Sequence, residues 1–239
     1  MSALVDAIRR ELRARAKRDK AAILARFFKT GKGEYAEGDR FLGITVPETR
    51  AVAKRYPDLP LADVLTLLSS PIHEERACAL FIMVGQYRRG TPAEQERIYR
   101  AYLAHTRHIN NWDLVDLSAY HIVGPHLEGR DRQPLSRLAR SSDLWERRIA
   151  MVSTFHFIRQ GDPEAALDIA ERLVYDDHDL IQKAVGWMLR EVGKRCSFDA
   201  ERSFLDRYAA TMPRTALRYA IERMSPAEKR RYMKMKDCV

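Results

Sequence analysis

The sequence predicts an all-α chain of repeated helix pairs, and three observations carry that reading. Apolar residues recur at helical spacing along most of the chain. In HEERACALFIMVGQY, Ala77, Leu80, Phe81 and Val84 stand at i, i+3, i+4 and i+7, which is one apolar helix face. Prolines and glycines fall mostly between such segments, at Pro57/Pro60, Pro71, Gly90/Pro92, Gly124/Pro125, Gly161/Pro163, Pro213 and Pro226, where they punctuate helices. The segments also overlay on one another. Arg76, Trp112, Arg147, Lys183 and Arg218 are separated by 36, 35, 36 and 35 residues. A period near 35 made of helix pairs marks a HEAT-like repeat α-solenoid, a superhelix of antiparallel pairs in which each unit buries its face against its neighbours.

The elements follow in order. MSALVDAIRRELRARAKRDK is an amphipathic basic helix with acids in it and no apolar h-region, so it is not a signal peptide. FLGIT at 41–45 is a short extended piece, the one strand-like signal. HEERACAL opens a long helix, and INNWDLVD a second. DLWERR is a helix start with Asp143 as its cap and Trp145 stapling the first turn. IQKAVGWMLRE gives another long helix. About twelve helices are expected in all, in a single domain over 1–239. With 46% hydrophobic residues, that domain can bury a sizeable core. No apolar run is long enough to span a bilayer. Cys78, Cys196 and Cys238 are far apart and form no CxxC pair, which fits a reducing cytoplasm and excludes a disulfide framework.

Charge narrows the partners. Lys and Arg number 42 against 33 acids, a formal net charge of +9, which favours a polyanion such as nucleic acid or an anionic membrane surface. The repeat says where the charge goes. Anchors Arg76, Arg147, Lys183 and Arg218 are basic and Trp112 is the exception. Three positions on come Ala79, Val115, Ala150, Gly186 and Ile221, small or aliphatic residues suited to close helix packing. Four positions on come Leu80, Asp116, Met151, Trp187 and Glu222, on the anchor's own face. A solenoid with these rows on its concave side has a basic groove lined by Trp112, Asp116 and Trp187.

Asp116 stands out in such a groove. An arbitrary aspartate is usually a surface acid paired with a nearby Arg or His. A carboxylate weakens phosphate binding, however, so a polyanion groove that keeps one points to chemistry in which positive charge develops. Most tryptophans are core residues, and Trp145 fits that reading. Trp112 and Trp187 occupy the two rows, where an indole offers a stacking or cation–π platform. Arg76, Arg147, Lys183 and Arg190 read as phosphate contacts. Arg147 and Arg148 point about 100° apart on a helix, so at most one of them faces the groove. There is no GxGxxG, Walker loop, HExxH or GxSxG. The seven histidines have no metal-ligand spacing, so neither metal nor cofactor is expected.

These segments together resemble the AlkD family of bacterial DNA alkylation repair glycosylases. The resemblance covers nearly the whole chain and rests on FLGITVPETR at 41–50, HEERACAL at 73–80, NWDLVD at 111–116, LWERRIA at 144–150 and IQKAVGWMLRE at 181–191. It implies a HEAT-like solenoid whose concave face holds duplex DNA. It also implies hydrolytic, metal-independent removal of cationic alkylated purines such as 3-methyladenine, 7-methylguanine and bulkier adducts, with the lesion left largely stacked; a monomer is expected. The family's catalytic aspartate falls on Asp116, its sugar-facing tryptophans on Trp112 and Trp187, and its groove arginine on Arg148, where the repeat column has Arg147. Two other functions share these features. One is a non-catalytic binder of bent or branched DNA; the other is a protein-interaction scaffold, which the basic row disfavours.

Overall fold

The computed structural model describes residues 2–235, and among them regular structure is helical throughout, with no strand. Where the sequence suggests one domain, the helices group into two compact units divided after Ser118. Unit 1 holds α1 (Ala3–Arg13), α2 (Arg18–Phe27), α3 (Val46–Ala53), α4 (Leu61–Leu68), α5 (His73–Arg89), α6 (Pro92–Ala104) and α7 (Trp112–Asp116). Unit 2 holds α8 (Ala119–His126), α9 (Gln133–Ala139), α10 (Leu144–Ser153), α11 (Phe155–Arg159), α12 (Glu164–Leu173), α13 (Asp179–Arg195), α14 (Phe198–Tyr208), α15 (Arg214–Ala220) and α16 (Pro226–Lys234). Helices joined by short turns pack as pairs, as in an α-solenoid, with α5 central to unit 1 and α13 to unit 2. Cys238 lies outside the described residues.

Local chemistry fixes the helix starts. Thr45 with Glu48, Thr91 with Glu94 and Ser225 with Glu228 form capping boxes ahead of α3, α6 and α16, each with a proline just inside. Asp143 caps α10 as expected, its carboxylate accepting from the Trp145 and Glu146 amides, and Trp145 is buried. α1 buries Val5, Ile8 and Leu12.

The described residues form more helices than the twelve or so expected, because hydroxyls compete with the helix ladder. Ser118 donates back to the Leu114 carbonyl between α7 and α8, and Thr154 to the Met151 carbonyl between α10 and α11. Gly124 and Pro125, read as a break, instead form the last turn of α8, which ends one residue later. FLGIT, expected to be extended, has no regular structure and joins no sheet; an isolated bridge pairs Arg40 with Ile72 beside it.

The repeat phase holds. Each anchor lies in a helix: Arg76 in α5, Trp112 in α7, Arg147 in α10, Lys183 in α13 and Arg218 in α15. The row three positions after the anchors is buried throughout, at Ala79, Val115, Ala150, Gly186 and Ile221. Gly186 is there for contact: a Cβ on it would stand 2.3 Å from the Ala216 carbonyl oxygen and 2.5 Å from Tyr219 Cβ. Alanine is the better helix former by about 1 kcal/mol, yet Gly186→Ala is expected to lower the stability of unit 2 by about 1–3 kcal/mol through overpacking. A denaturant melt checks this, and an unchanged or raised midpoint would show that α13 and α15 separate freely.

Unit 1 is organised by four consecutive polar residues at the start of α5. His73, Glu74, Glu75 and Arg76 are all buried, and 100° per residue fans them over several neighbouring segments, with His73 and Arg76 converging on Asp39. Glu75 takes Arg9 at 2.9 Å and Arg13 at 3.5 Å from α1. Arg76 reaches Asp39 at 2.6 Å and the Ser70 carbonyl at 2.9 Å. Glu74 accepts the backbone N–H groups of Leu42, Gly43 and Ile44 at 2.9, 2.8 and 3.2 Å, so FLGIT is satisfied by a side chain where a strand partner would serve elsewhere. Gly43 sits at φ 83° with its Cβ position 2.2 Å from the Lys17 carbonyl oxygen, which only glycine allows. Cys78, next along α5, is fully buried, and burial pushes its thiol up to about 12.

Candidate functional site

α7 is five residues long, with Trp112 first and Asp116 last. At i and i+4 the two share a face, and both are half-buried. Leu114 and Val115 between them are fully buried and anchor the opposite side. So short a helix has no stability of its own, and its orientation comes from tethers at both ends. Asn111 Oδ1 accepts from the Trp112 amide at 2.8 Å. The Asp113 carboxylate meets His73 Nε2 at 2.8 Å. Beyond Asp116, the Ser118 hydroxyl donates to Leu114 at 2.6 Å and lies 2.9 Å from the Tyr102 hydroxyl. Burial pushes the Tyr102 phenol far above its ordinary value; its bond to Ser118 opposes this, and the charge of Asp116 adds to it.

The Trp112 indole is held by aromatic neighbours. It stacks on Phe28 at 5.2 Å and 24°, with Phe27 edge-on at 6.0 Å. Phe28 stacks in turn on Phe41 at 5.1 Å, and Phe41 on His73 at 4.5 Å. Beside this stack a cavity of about 250 Å³ is lined by Phe27, Phe28, Phe41, Phe81, His73 and Asp113. Sequence reading missed Phe28, Phe41, His73 and Asp113. The FF doublet closing α2 and the acid next to Trp112 were the available signals.

In unit 2, Trp187 is half-buried on α13, its ring 5.9 Å from Phe155, which meets Tyr120 edge-on at 5.3 Å. The Arg195 guanidinium lies 5.3 Å from the Phe155 ring centre. One turn before Trp187, Lys183 pairs with Asp179 at 2.8 Å. Arg190 pairs with Glu222 and, at 3.6 Å, with Glu191. Arg148 is buried, and its Nη1 donates to the Leu180 carbonyl at 2.5 Å.

Two residues of the basic anchor row meet partners within their own units. Arg76 and Arg147 each donate to the carbonyl six residues back, Ser70 at 2.9 Å and Ser141 at 3.0 Å, and each pairs with a carboxylate, Asp39 at 2.6 Å and Asp176 at 2.7 Å. They staple the turn ahead of their own helix. The physical reason is the orphan carbonyls of an inter-helix turn, which a guanidinium fork with several donors satisfies.

An indole and a carboxylate on one rigid face suit a cationic or cation-developing group, which the π face and the anion both stabilise. Comparisons with known proteins bear on which. The profile of a family described as DNA alkylation repair enzyme matches residues 8–224. Among solved structures, a predicted DNA alkylation repair enzyme from Enterococcus faecalis is similar at TM-score 0.67 and 16% identity, over 89% of this chain and 98% of that one. AlkD2 from Streptococcus mutans is similar at TM-score 0.55 and 15% identity, over 86% and 98%. At such identities the likeness is one of fold. A comparison with proteins of curated function returned no match.

Proposed function

The chain belongs to the DNA alkylation repair enzyme family, and on that premise we propose that it is a glycosylase that hydrolyses the N-glycosidic bond of cationic alkylated purines in duplex DNA. The observation that carries the reading is α7, where Trp112 and Asp116 share one face of a helix fixed at both ends. 3-Methyladenine and 7-methylguanine are the substrates expected.

A purine alkylated at a ring nitrogen is positively charged, and its bond to deoxyribose is already weak. As the bond breaks, its electron pair leaves with the base, which becomes neutral, and the sugar becomes oxocarbenium-like. Asp116, ionised, stabilises that cation and orients or deprotonates the water that adds to C1′. Trp112 lays its indole against the deoxyribose and keeps bulk water out. Trp187 and Arg148 belong to unit 2; the resemblance of IQKAVGWMLRE at 181–191 and LWERRIA at 144–150 assigns them a second sugar-facing indole and a groove arginine, the latter buried and bonded to the Leu180 carbonyl. Lys183 and Arg190 serve as further phosphate contacts. Partly exposed pairs such as Lys183–Asp179 are ordinarily worth under about 1 kcal/mol, so a phosphate competes well for the lysine.

The test is release of 7-methylguanine and 3-methyladenine from methylated duplex DNA by the purified chain, with duplex binding measured alongside. Release is expected for both bases and not for a neutral lesion such as uracil, since the mechanism supplies no strong acid to the leaving base. Tight, salt-dependent binding without release would assign the chain to non-catalytic DNA binding.

A further inference from the structure

We propose that His73 is the positioning residue of the α7 site: clamped between Asp39 and Asp113, stacked on Phe41 and tilted against Phe28, it sets where Trp112 and Asp116 are presented to the substrate. The proposal rests on the glycosylase reading above. It adds a residue from another helix, 40 positions from Asp113 in sequence, that touches no substrate.

α7 is tethered at Asn111, Asp113 and Ser118. Asn111 and Ser118 are uncharged and act on backbone groups at the helix ends. The contact to His73 grips a side chain inside α7, that of Asp113, by charge. His73 Nε2 holds Asp113 at 2.8 Å and Nδ1 faces Asp39 at 3.3 Å, and Arg76 closes the chain of alternating charge on Asp39 at 2.6 Å. The imidazole is also 5.1 Å from Phe28, the ring on which Trp112 stacks. One side chain therefore holds both of the first two residues of α7, Asp113 directly and Trp112 through Phe28. Asp116 follows within the same turn and a half, so a tilt of Asp113 moves the Asp116 carboxylate with it.

The clamp is ionic. Burial opposes charge on the ring, but the Asp113 carboxylate, by its charge and its hydrogen bond, with help from Asp39 and against Arg76, raises His73 from 6.5 to about 9. Because the folded-state value is raised, the clamp is fully made below about pH 6.5 and is lost as pH rises through about 9. The charged groups around the ring are Asp39 from the segment before α3, Glu74 and Arg76 from α5, Asp113 from α7, and Lys20 from α2 at the adjoining cavity. Glu74 is committed to three backbone amides.

The experiment measures kcat and KM for 7-methylguanine release against pH, corrected for spontaneous loss, for the wild type, His73→Gln and Asp113→Asn. Misplacement of a reacting group by about 1 Å costs on the order of a hundredfold. His73→Gln is therefore expected to lower kcat by about ten- to a hundredfold with KM nearly unchanged. The wild-type rate should fall away near pH 9. That limb should vanish in His73→Gln and move to lower pH in Asp113→Asn, which removes the anion that holds the ring charged. A folding defect alone would scale the rate at every pH without moving the limb. Unchanged kcat in His73→Gln, or a limb that stays in place in both variants, overturns the proposal alone. No release by the wild type overturns the glycosylase reading and the proposal with it.

Discussion

Asp116→Asn is expected to lower 7-methylguanine release by a hundredfold or more while duplex binding is retained or tightened. The amide matches the carboxylate in size, so the packing of α7 on its buried Leu114 and Val115 is undisturbed. What disappears is the negative charge. Preorganised charges aimed at a developing ion are worth about two to three orders of magnitude in rate, and the oxocarbenium-like sugar is such an ion. Binding responds in the opposite sense, because a carboxylate near the DNA backbone repels phosphate and its neutral replacement does not. The two measurements must be made together. Loss of both would signal damage to α7, and rates within about threefold of wild type would show that another group meets the sugar cation.

Glu74→Ala is expected to be the most costly single truncation in unit 1, at about 3–5 kcal/mol. The Glu74 carboxylate accepts from three consecutive amides in FLGIT. Hydrogen bonds to a charged group contribute about 1.5–3 kcal/mol each, and truncation leaves buried donors with no acceptor. The local consequence reaches the site. The piece begins with Phe41, which stacks on both Phe28 and His73, so loosening it loosens the support of Trp112. Glu74→Gln keeps a carbonyl acceptor and should fall between wild type and Glu74→Ala. Urea melts of the three proteins decide the matter, and a loss below about 1 kcal/mol for Glu74→Ala would mean that water reaches these amides.

How much of this was legible in the sequence depends on whether a feature is periodic or paired. The row three positions after the anchors is periodic, and all five of its residues are buried as the spacing predicts. The start of α10 is local, and Asp143 caps it as expected. The basic anchor row looked equally regular, yet Arg76 and Arg147 are committed to turns and carboxylates. Spacing gives the phase of a guanidinium but not its partner, which for Arg76 stands 37 positions earlier and for Arg147 29 positions later. The support of Trp112 was hidden for the same reason, since Phe28 and Phe41 come from separate segments. HEER reads as a charged, solvent-facing helix start. It is buried because partners from α1, α7 and the segments around Asp39, residues 42–44 and Ser70 surround it, and no one-dimensional pattern announces that.

The thiol of Cys78 turns unit 1 into its own stopwatch. It is fully buried directly behind the HEER turn, and burial keeps it protonated up to about pH 12, so a thiol reagent reaches it only after α5 parts from its neighbours. With Cys196 and Cys238 replaced by serine, the rate of label uptake at Cys78 then counts opening events of this unit alone. Uptake should quicken in any variant that loosens the turn and stay unchanged in one that alters only the chemistry at Asp116.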